Sequence, residues 1–525
     1  MSQQSFVRGA FILALAHLIS RLLGAVYRIP LYRIMGDEGM GLIQMAYPVY
    51  STVLAISTVG LPVAVSKLVA EKIAEHKPRG ALRVFTTSLI ILAFSGLFFS
   101  VLLYTSASFI VNEVTGDPRA FLSIIAISPA IFFVAVMSAF RGYFQGLQNM
   151  TPTAVSQIIE QVVRVGTMFV LAWLLLPKGL EFAAAGATFG AVTGAIVGLL
   201  YLIYVYAGFR PGVPTGLEEP EPFWLMAKRI VLFAIPISLV GIIMPLIQLI
   251  DMSVVPGRLQ ASGLDFQEAT RLYGQLSGGA VPLVNMPTVF TAAIAASLVP
   301  SISEAAALGS MGQIRRRTSL GLKLTIVIVL PATVGMYLLA TPIADFLYGA
   351  PEVGLPLAAM SSVILFLGVQ MTTSAVLQGM GKTMLPVQNL VAGAVVKLIL
   401  TWFLTFSHGI QGAAYASVVG FLVAAGLNMA ALYVEVGNVV DIGSTLLKPV
   451  LSSAAMAATV TMLYPRIQGI LDSNGMATLL TIGAGVTVYG MLLLGSGTLS
   501  SEELHAIPGV GPRLHKVLLR LGLAK

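Results

Sequence analysis

Cysteine is absent from the 525 residues and histidine is limited to 5, which excludes disulfides, thiolate metal sites and paired-histidine metal motifs. No Walker A loop and no nucleophile–base constellation can be found, so the chain reads as a non-enzyme without cofactors and without an ATPase motif of its own. Charge is also scarce. Asp, Glu, Lys and Arg make up 10% of the chain and apolar residues 57%, against about 25% and 45–50% in soluble domains. The alternating pattern of a membrane β-barrel is missing, and the apolar blocks far exceed barrel strands of about 9–11 residues.

What is there is an all-α, polytopic membrane pattern. Apolar blocks of about 20–30 residues recur along the whole chain and tolerate Gly and Pro, as membrane helices do. They predict about fourteen spans of the length a bilayer demands, at residues 9–32, 42–66, 84–111, 120–146, 154–176, 182–209, 225–250, 280–303, 320–347, 355–380, 384–407, 411–434, 445–470 and 476–497. Most of the 30 Lys and Arg fall at the termini or beside loops that follow even-numbered spans, among them Lys67, Lys72, Arg141, Arg229, Lys382 and the run Arg315, Arg316 and Arg317. By the positive-inside rule both termini are expected in the cytoplasm, and the net charge of +8 reports orientation, with no nucleic acid as partner. The Ala14-Leu15-Ala16 triplet has too short an apolar run before it to be a cleaved signal site. The tail at 507–523, IPGVGPRLHKVLLRLGL, looks like one helix-hairpin-helix unit, but an amphipathic helix on the inner leaflet suits it better.

Charges inside the spans carry the functional signal. A cation at mid-span costs roughly 2.5 to 3.5 kcal/mol on insertion scales, so it usually faces a polar cavity. Arg21 and Arg28 stand about two turns apart in the first span and share a face. A guanidinium fork grips phosphate at two points, which points to an anionic cargo. Glu160 and Arg164 are spaced to pair on one helix face in the fifth span, and Lys397 lies in the eleventh. Gln145, Asp251 at the outer end of the seventh span and Asn285 in the eighth are further polar candidates for cargo or coupling-ion contact. Asp37 and Glu38, in the GDEG turn, read as a helix stop outside the membrane.

The chain also echoes itself. Gln145-Gly146, Pro152 and Arg164 recur with the same Gln-to-cation spacing as Gln378-Gly379, Pro386 and Lys397, a duplication typical of transporters. The expected organisation is an N-terminal lobe at 1–210, a cytoplasmic linker at 211–224, a second lobe at 225–437, two additional spans at 438–498 and a tail at 499–525.

Three segments, SRLLGAVYRIPLYRIMGDEGMGL (20–42), RGYFQGLQNMTPTAVSQIIEQVVRV (141–165) and VNMPTVFTAAIAASLVPSISEA (284–305), resemble the polysaccharide-transport branch typified by stage V sporulation protein B. That branch shares a superfamily with the lipid II flippase MurJ and the MATE exporters. The resemblance implies two six-helix lobes around a V-shaped cavity, alternating access, and two extra helices that shape a groove for a lipid tail. It also implies an undecaprenyl-diphosphate-linked glycan as cargo, most plausibly lipid II, in a bacterial cytoplasmic membrane. Arg21 matches a cavity arginine of MurJ-type proteins. The second such arginine falls here on Tyr27, one place before Arg28, and a third falls on Pro282. Diphosphate contacts are therefore expected from Arg21, Arg28, Arg164 and Lys397, with Glu160, Asn285, Asp251 and Gln145 as cavity or coupling groups. Coupling to the membrane potential or a monovalent cation and a monomeric carrier complete the expectation. A MATE-like cation exporter, a flippase for another polysaccharide precursor, a scaffold and a membrane-bound glycan enzyme are the alternatives.

Overall fold

The structure, a computed structural model, describes residues 26–58, 60–208, 221–471 and 473–498, together with Leu13, Ala16, Ile19, Ser20, Leu23 and Gly24. Among the described residues there are helices and no strands, as the block pattern demands. The tail at 499–525, most of the first span with Arg21, and most of the 211–224 linker lie outside them.

The helices that follow are α1 (Arg28–Thr58), α2 (Leu61–Ala74), α3 (Pro78–Phe109), α4 (Ala120–Ile127), α5 (Ala130–Gly146), α6 (Thr151–Leu175), α7 (Leu180–Gly208), α8 (Phe223–Ala261) and α9 (Phe266–Tyr273). After them come α10 (Val281–Ala307), α11 (Met311–Leu338), α12 (Ala340–Tyr348), α13 (Gly354–Met360), α14 (Val363–Gly379), α15 (Met384–Val436), α16 (Lys448–Ile470) and α17 (Asn474–Gly495). Proline stands in the first turn of α2, α3, α6, α10 and α16, where the missing N–H has no intrahelical partner to lose.

The described residues do not confirm the count of fourteen spans. Among the described residues, 11 helical stretches are long and apolar enough to cross a membrane, or up to 12 if the bent pair Pro351–Met360 and Val363–Gly379 is one span. Helix α15 explains part of the shortfall. Its 53 residues include a non-helical Gly409 at φ 58, a left-handed conformation that suits glycine. Past it the chain doubles back, because Asn389 Nδ2 donates to Asn428 Oδ1 at 2.9 Å. Two expected spans thus form one hairpin.

The chain packs as two compact units, Met1–Gly274 and Gln275–Lys525. The division falls beyond the 211–224 linker because α8 is tied into the first unit. Lys72 Nζ meets Glu221 Oε1 at 2.7 Å, Arg229 Nη2 meets Glu71 Oε1 at 2.5 Å, and Lys67 Nζ sits 4.1 Å from the Phe233 ring centroid. The core of this unit includes Phe85, ringed by Phe140, Tyr143 and Tyr206 at centroid distances of 5.1, 4.7 and 5.1 Å.

The second unit repeats local geometry of the first, with one offset between all the paired positions. His76 and Gly309 both have positive φ, as do Gln148 and Gly381. The closing bond from Lys77 N to Lys72 O (2.8 Å) recurs from Ser310 N to Ala305 O (3.0 Å), and that from Asn149 N to Phe144 O (3.0 Å) recurs from Lys382 N to Leu377 O (2.9 Å). These are the six-to-one closures of left-handed helix ends.

A candidate anion site in the first unit

Helix α6 presents Ser156, Glu160 and Arg164 one turn apart along one face. Behind it runs α7, which can come close because glycine faces it: a Cβ at Gly194 would stand 2.6 Å from the Glu160 carbonyl oxygen and 3.0 Å from the Arg164 Cβ. Helices without a hydrophobic drive to associate in lipid rely on such small residues.

The expected pairing of Glu160 with Arg164 is not what forms. Arg141, on α5, donates from Nε to Ser156 Oγ at 3.0 Å and from Nη2 to Glu160 Oε2 at 2.9 Å. Both members of the ion pair are largely enclosed, with side-chain exposures of 14% and 15%. A fork arriving from a neighbouring helix satisfies the hydroxyl and the carboxylate together, which a residue one turn along the same helix does not. Arg141 had been counted among the loop-side cations; it is instead part of this cluster.

Arg164 turns toward α1. Its guanidinium lies 5.9 Å from the Tyr47 ring centroid, within cation–π range. Its Nε is buried without a partner, and no carboxylate pairs with it among the described residues. Tyr47 and Tyr50 meet edge to face at 5.7 Å. Arg28 lies at the start of α1. The result is an arginine against an aromatic ring with one buried donor left without a protein partner, suited to hydrogen-bonding an anion.

The other candidates lie elsewhere. Gln145 has its carbonyl in the turn after α5, accepting from Gln148 N at 2.9 Å. Asp251 is not at a helix end, because α8 continues to Ala261. In the second unit, Lys397 is buried on α15, and a Cβ at Gly420 would approach its own Cβ to 2.7 Å. Its repeat relation to Arg164 therefore extends to the backing glycine. Asn285 is exposed on α10, its carbonyl accepting from Thr288 Oγ1 at 2.7 Å. Also on this unit, Asn428 Nδ2 donates to Thr373 Oγ1 at 3.1 Å and to Ser374 Oγ at 2.9 Å, a buried polar knot absent from the sequence reading. Among the described residues no His, Asp and Glu group could hold a metal ion.

A second feature of this unit is an apolar cavity of about 730 Å³ between α10, α11, α16 and α17, lined by Phe290, Val327, Pro331, Met456, Val486 and Tyr489 among others. Tyr489 Oη donates to the Val327 carbonyl at 2.8 Å, so the polar end of its ring is satisfied and the rest is apolar wall.

Among the described residues, helices and no strands, 11 or up to 12 of them able to cross a membrane, define the class as a polytopic helical membrane protein. Its fold matches a solved structure of the lipid II flippase MurJ in an inward closed conformation, with a TM-score of 0.70 at 17% identity over 92% of this chain and 98% of that one. Residues 6–306 match the model of the polysaccharide biosynthesis protein family, and the chain belongs to that family. It is 30% identical over 524 residues to stage V sporulation protein B of Bacillus subtilis (strain 168), covering 97% of this chain and 99% of that protein. It is 31% identical over 444 residues to the lipid II flippase MurJ of the same organism, covering 79% and 80%.

Proposed function

We propose that this protein is a flippase that moves an undecaprenyl-diphosphate-linked saccharide, most plausibly lipid II, from the inner to the outer leaflet of a bacterial cytoplasmic membrane by alternating access. The observation that carries the reading is Arg164, a span cation against the Tyr47 ring, with a buried Nε left unfilled. A diphosphate oxygen is the acceptor such a donor lacks. Arg21 and Arg28 in the first span, and Lys397 in the second unit, are the further diphosphate-contacting candidates. The apolar cavity lined by Phe290 and Tyr489 suits a prenyl tail, and the saccharide would cross in water. Support from relatives is twofold: one is named a lipid II flippase and another a sporulation protein. Both termini are assigned to the cytoplasm, the carrier to a monomer, and the driving force to the membrane potential or a monovalent cation.

The test is reconstitution into vesicles with fluorescent lipid II, following its exposure on the far leaflet for wild type and Arg164→Ala. Flipping lost with Arg164 supports cargo class and site together. Flipping of a different undecaprenyl-diphosphate glycan in place of lipid II changes the saccharide alone. Movement of neither glycan refutes the reading.

A further inference from the structure

Glu160 stands one helical turn from Arg164, on the spacing at which a carboxylate and a guanidinium pair on one helix. If it did so, the unfilled donor would be filled from within and the Arg164 guanidinium would be neutralised toward cargo. What prevents this is on a different helix. Arg141 takes the Glu160 carboxylate at 2.9 Å and secures the helix a turn earlier through Ser156 at 3.0 Å. The carboxylate is thus held by the cation on α5, and Arg164 is left against the Tyr47 ring.

We infer that Arg141 is a positioning residue that holds Glu160 off Arg164, so that the Arg164 guanidinium stays open to an anionic group. This rests on the proposed anion site but concerns a residue outside the set of cargo-contacting cations. Removing Arg141 leaves an enclosed carboxylate without a partner, a costly state that drives it to the nearest cation. That cation is Arg164. Arg141→Ala therefore closes the seat by self-pairing, and Arg141→Ala/Glu160→Gln opens it again because no carboxylate is left to fill it.

The experiment uses the full-length protein in lipid nanodiscs and an arginine-specific dicarbonyl, phenylglyoxal, with the modification of Arg164 followed by peptide mass spectrometry. Unfolding temperatures are recorded for each variant. The expected result is ready labelling of Arg164 in wild type and Arg141→Lys, labelling several-fold slower in Arg141→Ala, and recovery in Arg141→Ala/Glu160→Gln. A purely structural role for the pair predicts instead that labelling follows the unfolding temperature alone. The inference is overturned if Arg164 is unreactive in wild type, if Arg141→Ala leaves its labelling unchanged, or if the double variant labels as slowly as the single one. Inorganic diphosphate added as protectant separates the two layers of the argument. Labelling that follows the Arg141–Glu160 pair, with no protection by diphosphate, keeps the positioning role and removes diphosphate as the occupant.

Discussion

Arg164 in the first unit and Lys397 in the second occupy matching places in the internal repeat, yet they are not in matching surroundings. Each is backed by a glycine that lets the neighbouring helix come within a Cβ of clashing, Gly194 in one case and Gly420 in the other. From there the two diverge. Arg164 reaches the face of Tyr47. Lys397 is 8% exposed, on the hairpin whose legs are joined by the Asn389 and Asn428 amides. The repeat keeps the backbone approach and lets the side-chain chemistry change. A planar fork can bind an anion from a partly open wall, whereas a buried ammonium is held by its own protein surroundings. The comparison assigns more of cargo binding to the first unit than the symmetry of the sequence suggests.

That asymmetry can be broken or sharpened by experiment. The largest expected effect is on the shared part. Gly194→Leu and Gly420→Leu each drive a side chain into a helix backbone, and each should cost at least the 1–3 kcal/mol or so typical of overpacking. Thermal unfolding in detergent should show comparable losses for the two variants; a mild effect at one would mean that the helix contact there is looser than its partner's.

Arg164→Ala and Lys397→Ala test the part that differs. A charge-assisted contact contributes about 1.5–3 kcal/mol, so losing Arg164 should weaken diphosphate binding by roughly tenfold or more, while Lys397→Ala should lower stability more than it lowers affinity. Titration calorimetry with a short-chain prenyl diphosphate on both variants measures this. Equal losses of affinity would restore the symmetric picture.

A smaller effect is expected from the membrane potential. An inside-negative potential favours outward movement of an anionic lipid, so collapsing it in vesicles should slow lipid II flipping. Unchanged flux under a clamped potential would exclude this driving force.

The smallest effect concerns the ion cluster that ties α8 to α2. Hydrogen bonds from Lys77 and Lys72 hold the Glu75 carboxyl below its ordinary value, so its contribution is present above that value and is lost as pH falls through the lowered one. The hydrogen bond to Glu221 is the main cause that raises Lys72 above its ordinary value, against the opposing pull of burial; that contribution is present below the ordinary lysine range and is lost as pH rises through the raised value. Amide protection at residues 71–77, corrected for the intrinsic pH dependence of exchange, should fall in acid for wild type and respond less to pH in Glu75→Gln.

Much of this protein was legible before any coordinates. Apolar block length and charge scarcity have one physical solution, membrane helices, because lipid leaves no other partner for backbone polar groups. The repeat was visible in Gln145 and Gln378 because identical local closures need similar local sequence. Span counting was less secure: α15 holds two legs of one hairpin, and most of the first span lies outside the described residues. The site was read only in part. Arg164, Arg28 and Glu160 stand out as charges in apolar runs, but Arg141 sits in the sequence among loop-side cations, and Tyr47 and Tyr50 carry no charge to mark them. Their three-residue spacing does put both tyrosines on one helix face, a signal that periodicity alone does not distinguish from packing.

The sequence by itself determined that the chain crosses a membrane many times, that it duplicates a helical pattern, and that it keeps cations where lipid penalises them. These follow from local composition and spacing, which act through solvation and through the helix repeat. Only the tertiary structure decided which cation neutralises Glu160. Two partners were available, Arg164 one turn along the same helix and Arg141 on another, and the packing of α5 against α6 chose the one that also reaches Ser156. Charge pairing is settled by distances between helices, and those depend on how close the glycines of α7 allow the neighbouring backbone to come.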